Sequence, residues 1–136
     1  SNKKMTNQES GVYVFPNGDR YAGDYSHRSD GSIMRQGIGQ YTSKDGLICK
    51  GIWSDDKLNG IGKVTFTSGA AYEGMFVNNC MNGNGRYKFP DGSVYEGYFQ
   101  DNKLLGRGTF TDTKGQIWHG ELNNNIGNGF QFKLNM

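Results

Sequence analysis

Five Gly-x-Gly pairs stand out as the residues that could do chemistry: Gly37/Gly39, Gly60/Gly62, Gly83/Gly85, Gly106/Gly108 and Gly127/Gly129. Such pairs can cradle phosphates. A dinucleotide loop needs a third Gly three residues on and a helix behind it. Thr65, Lys88 and Thr111 occupy that third position, and no helix pattern follows, so the phosphate reading fails. A zinc site would draw on His27, His119, Cys49 and Cys80, but their spacings match no ligand motif. Asp55-Asp56, Asp101-Asn102 and Asn123-Asn124-Asn125 suggest calcium loops, yet the EF-hand spacing with its distant Glu is absent and Asp and Asn are ordinary turn formers. No Ser, His and Asp set is spaced as a nucleophile with its base. The expectation is a protein with no catalytic residues, no metal and no cofactor.

The elements that carry these residues follow from composition. The chain has 136 residues, 22 of them Gly and 2 Pro. Gly is thus about 16% of the chain, against an average of roughly 7%. Gly disfavours helices, and the spacing is not that of collagen. Eighteen aromatic residues (8 Tyr, 8 Phe, 2 Trp) argue against plain disorder. Hydrophobic content is 34%, with mean hydropathy −0.75, which is lean for two packed layers. Net charge is +2, too weak to imply nucleic acid. No apolar run approaches the ~18 residues of a membrane span. Two Cys make no disulfide framework and suggest a reducing, cytoplasmic setting.

The glycines are periodic. Gly23, Gly51, Gly74, Gly97 and Gly120 form one column, the Gly-x-Gly pairs a second, and Gly18, Gly46, Gly69, Gly92 and Gly115 a third. Gly11 extends the paired column backwards. Only Gly31 is left over, inside an insertion spanning Ser26–Gln36. Repeats therefore start at Tyr21, Cys49, Tyr72, Tyr95 and Trp118, after a half repeat over 11–20. Residues 1–10 read as a disordered polar lead, with Ser1-Asn2 a cloning scar, and 11–136 as one domain. Each repeat reads as two strands and two turns. In the third, Tyr72–Phe76 alternates, Asn78–Gly83 is a turn cluster, Gly85–Phe89 alternates again and Pro90-Asp91-Gly92 turns back. The expected fold is all-β: a single-layer, twisted antiparallel meander of about 11 strands, each of about five residues.

Tyr-Glu-Gly-x-Phe, then a turn, then Asn-Gly-x-Gly-x-Tyr-x-Phe-Pro-Asp-Gly, repeating every 23 residues, resembles the MORN repeat (membrane occupation and recognition nexus). The repeats from Tyr72 and Tyr95 fit best. Cys49 and Lys50 replace the leading Tyr-Glu, the first repeat carries the insertion, and the Trp118 repeat is shortened. The resemblance implies a single-layer sheet with roles in protein binding, self-association and attachment near membranes, and no catalysis.

Function therefore lies on surfaces. Parity places Trp53, Tyr72, Phe76, Tyr87, Tyr95, Phe99 and Phe110 on one face, and a single layer leaves that face partly open as a groove for a partner peptide or helix. Ile52, Met75 and Tyr98 form a second apolar patch on the otherwise polar face. The sheet edges offer a route to a homodimer. The alternative readings are a peripheral membrane or phospholipid-binding module and a self-associating structural protein. Basic residues are scattered and no lipidation motif is present, so direct lipid binding is expected to be weak or absent.

Overall fold

The structure, a computed structural model, describes residues 8–122 and 132–134. Its strands are β1 (Glu9–Val14), β2 (Arg20–His27), β3 (Ile33–Thr42), β4 (Ile48–Ser54), β5 (Lys57–Thr65), β6 (Ala71–Val77), β7 (Cys80–Lys88), β8 (Val94–Gln100), β9 (Lys103–Leu104), β10 (Arg107–Thr111), β11 (Ile117–Leu122) and β12 (Phe132–Leu134). All pairings are antiparallel between chain neighbours. The order runs from β1 to β12 in one open sheet, with β9 paired to β8 beside the main path. β9 and β10 are two parts of one strand broken at Leu105-Gly106, so the expected meander of about 11 strands is what forms.

Two turn types alternate. At Asp55-Asp56, Asn78-Asn79 and Asp101-Asn102 both residues have positive φ, from 47° to 71°. That is the two-residue turn whose twist matches a hairpin, and Asp and Asn tolerate it best among non-Gly residues. The expected turn cluster Asn78–Gly83 is therefore too long: the turn is Asn78-Asn79, and β7 starts at Cys80. Its strand runs nine residues, not five. At the other end, the Phe89 N–H donates to Ser93 O and the Gly92 N–H to Phe89 O, a tight turn closed by a left-handed Gly. Gly31 makes the same turn between Arg28 and Ser32. The odd glycine of the sequence is thus the turn residue of the insertion, which lengthens the β2–β3 hairpin. Another boundary moves as well. β1 begins at Glu9, inside the segment expected to be a lead, while 1–7 lie outside the described residues. So do the last hairpin tip at 123–125 and the Gly127/Gly129 pair.

The first and second glycine columns meet. Gly11 pairs with Gly23, then Gly23 with Gly39, Gly39 with Gly51, Gly51 with Gly62, Gly62 with Gly74, Gly74 with Gly85 and Gly85 with Gly97. The result is a furrow without side chains running across the sheet. Tyrosine rings lie in it. A Cβ on Gly85 would stand 2.3 Å from the Tyr72 hydroxyl, and one on Gly97 2.2 Å from that of Tyr95. The Tyr72 hydroxyl donates to Met75 O at 2.9 Å and that of Tyr21 to Asp24 O at 2.6 Å. In the next repeat the Leu105 N–H takes Tyr98 O instead, at 2.9 Å, and the buried Tyr95 hydroxyl has no partner. The break between β9 and β10 falls at that same place.

Replacing Gly85 with Ala should cost more than replacing Gly69. Gly69 has φ 93° and open space around it, so Ala there meets only backbone strain of about 1 kcal/mol. At Gly85 the methyl must displace a fully buried ring, costing about 2–3 kcal/mol. Urea unfolding of both variants measures the difference; equal losses would contradict ring displacement.

Candidate functional site

The aromatic face is concave. A trough of about 790 Å³ crosses β3 to β7, lined chiefly by Tyr41, Leu47, Cys49, Trp53, Val64, Phe66, Phe76, Met81 and Tyr87. Of the seven residues expected to bind a partner, Trp53, Phe76 and Tyr87 line it. Tyr72, Tyr95 and Phe99 have no exposed surface at all, because their rings stack edge-on to neighbours. Tyr72 and Phe99 sit 4.9 Å apart at 82°. These three are core, and a partner cannot touch them. Phe110 is half-buried at the end of a run of rings, Phe66, Tyr87, Phe89 and Phe110, with centroids 5.0 to 6.1 Å apart. The accessible trough surface comes instead from Tyr41, Leu47, Cys49 and Phe66, which are partly exposed.

Two residues just beyond the hairpin tips, Leu58 and Met81, line the trough, and Leu104 repeats them in the core. Leu58, Met81 and Leu104 are 2–6% exposed and face Trp53, Phe76 and Phe99 across the hairpins. They recur 23 residues apart, two before each Gly-x-Gly, and that column is the signal that could have found them. Leu58 and Met81 are each clamped from the next repeat. The Leu58 N–H donates to Asn79 Oδ1 at 2.9 Å, and the Asn79 N–H returns to Leu58 O at 3.0 Å. Met81 and Asn102 do the same at 2.8 and 3.0 Å.

The first repeat uses the same clamp with charges. Arg35 takes the Leu position and Asp56 the Asn position. The Arg35 N–H donates to Asp56 Oδ1 at 3.0 Å, its Nε to the same oxygen at 2.7 Å, and its Nη2 to Asp56 O at 2.9 Å. Arg28 Nη2 lies 3.4 Å from Asp56 Oδ2. The guanidinium sits 4.4 Å over the Trp53 ring and 4.9 Å over Tyr41, a cation–π arrangement. Burial raises the Asp56 carboxyl, but the hydrogen bonds from Arg35 outweigh it and hold the group below its usual value. One end of the trough is thus walled by a cation, the rest by amide, hydroxyl and apolar groups.

On the opposite face, Ile52, Met75 and Tyr98 are partly exposed. Register adds Ile38 opposite Ile52 and Ile61 opposite Met75. Ile52 and Met75 also pack over Gly60 and Gly83. Among the described residues no three His, Cys, Asp or Glu side chains come together.

Changing Arg35→Leu alone should destabilise by roughly 2 kcal/mol, because the half-buried Asp56 loses its two hydrogen bonds from the guanidinium and keeps only the backbone N–H and the more distant Arg28. Adding Asp56→Asn recreates the Leu58–Asn79 pair and should recover most of that loss, a coupling that a double-mutant cycle reads directly. Additive losses would contradict equivalence of the two clamps. Alkali gives a second check. Burial pushes the Tyr21, Tyr41 and Tyr72 phenols up to about 12 from an ordinary 10. Their folded values exceed the unfolded ones, so their contribution is complete below pH 10 and disappears as pH rises through about 12. Phenolate absorbance and circular dichroism should change together over that range; ionisation of these tyrosines near pH 10 without unfolding would contradict their burial.

Comparison with the curated proteins finds no match. The family model of the MORN repeat matches residues 9–20, 33–48, 49–71, 72–94 and 95–117. The model leaves 118–136 unmatched and also 21–32, which holds β2 from its second residue and the inserted hairpin tip; the matches from 49 to 117 follow the 23-residue register of the glycine columns. MORN repeats are commonly interaction modules for proteins or membranes. With five matched segments spanning most of its length, and with the repeated hairpin geometry behind them, the chain belongs to the MORN-repeat family.

Proposed function

We propose that this chain is a non-catalytic binding scaffold, and that the trough seats the apolar face of a partner helix. The carrying observation is the trough itself: about 790 Å³ of concave space, open to solvent and walled by apolar side chains from successive repeats. A concave apolar surface with a few polar groups is the form that ligand and helix grooves take. Spacing supports a helix. One repeat spans two strands, about 9.6 Å at ~4.8 Å per strand. Seven helical residues rise about 10.5 Å. A helix laid across the strands therefore presents side chains at i and i+7 to equivalent positions of adjacent repeats. Leu47, Phe66 and Tyr87 offer apolar contacts, and Thr67, Ser68 and Asn79 line the rim.

Heptad-patterned peptides selected on the intact protein supply the probe. Leu47→Asp with Phe66→Asp should weaken such a peptide by at least about tenfold, or ~1.4 kcal/mol, while circular dichroism stays native. Ile61→Asp, on the other face, should leave the affinity unchanged. Loss through Ile61→Asp with retention in the trough variant would overturn the reading. So would an absence of peptide binding combined with salt-sensitive flotation on anionic vesicles.

A further inference from the structure

We infer that the edge of β1 left unpaired among the described residues pairs antiparallel with the β1 edge of a second copy, about a two-fold axis at Val12. Among the described residues β1 pairs only with β2. The Phe15 N–H donates to Asp19 O and Phe15 O accepts from Gly18, so both Phe15 groups point at the hairpin. Antiparallel strands alternate such groups. Tyr13, Gly11 and Glu9 therefore bond to β2, and Ser10, Val12 and Val14 present their N–H and C=O groups outward. Val12 and Val14 are 60% and 61% exposed. The one charged residue of Glu9–Val14, Glu9, pairs with His27 of β2 at 2.7 Å, and the strand has no Lys or Pro of the kind that normally guards an edge.

The occupant follows from the strand's own order. Pairing about Val12 sets Val12 against Val12, Ser10 against Val14, and Gly11 against Tyr13 of the other copy. Inside the sheet, glycines of the furrow are covered by tyrosine rings, as Tyr72 covers Gly85. Gly11 has only Tyr25 nearby, at 3.8 Å, and Tyr13 is 37% exposed. Each copy supplies the ring that the other lacks. Both furrows and both aromatic faces then run on through the axis, on the same side of one extended sheet. The closure is isologous, so association stops at two copies. A six-residue edge falls below the ~1,200 Å² of standard interfaces, so the pair should be weak and rapidly exchanging.

Sedimentation of the full chain from ~10 µM to ~1 mM should show the mass rising from one copy towards two. Val12→Lys should hold it at one copy over the same range with native circular dichroism. Register is tested by cross-linking in a Cys49→Ala/Cys80→Ser background. Val12→Cys should oxidise to a covalent dimer, because paired Cα atoms lie about 5.5 Å apart, within disulfide reach. Val14→Cys should not, since the two Val14 positions would be separated by about 14 Å. A single-copy mass at every concentration would overturn the inference. So would a dimer that survives Val12→Lys, or equal cross-linking at both positions.

Discussion

The architecture depends on one close approach: tyrosine rings laid into a furrow of paired glycines. Neighbouring strands lie about 4.8 Å apart, and a single layer has no second sheet or helix to cover its apolar side. The rings must cover it themselves by lying flat and leaning on the next strand. Only a position without Cβ allows that, as the 2.3 Å between a virtual methyl on Gly85 and the Tyr72 hydroxyl shows. The furrow and the rings are thus one device. It lets a chain that is only 34% hydrophobic bury Tyr21, Tyr72, Tyr95 and Phe99 completely. Where a hydroxyl loses its acceptor, at Tyr95, the neighbouring strand breaks.

A second device locks repeat to repeat. The left-handed turn residue of one hairpin bonds the backbone of the preceding repeat at the residue whose side chain floors the trough. Turn conformation, inter-repeat adhesion and core packing are therefore coupled at Asn79 and Asn102. Interactions confined to nearest neighbours are what make a repeat array extendable and locally modifiable. The first repeat uses that freedom. Arg35 and Asp56 replace an apolar residue and an amide within an unchanged backbone pattern, and the guanidinium lies over Trp53 and Tyr41. The trough gains a charged end without a change of fold.

Much of this was legible in the residues. The glycine columns marked the strands, the turns and the repeat length, and parity placed Tyr72, Phe76, Tyr87 and Phe99 on one face. The errors share a cause. Asn78–Gly83 reads as a polar turn because its composition is polar, yet only Asn78 and Asn79 turn. The strand resumes at Cys80 and carries Met81 into the core. Gly31 looked irregular because it breaks the spacing, although it performs the same turn as Gly92. Local chemistry tells that a hairpin exists. It does not tell at which residue the ladder resumes, because that depends on cross-strand partners.

Sequence alone determined the fold class, the register and the family, since each follows from spacing along the chain and from the narrow conformational range of Gly, Asn and Asp. Tertiary structure decided which aromatic residues are surface and which are core. That sorting depends on sheet twist and on rings reaching across two strands, distances that no spacing encodes. The same face therefore holds Tyr72 and Tyr95, sealed by their neighbours, beside Phe66 and Leu47, left open at the trough.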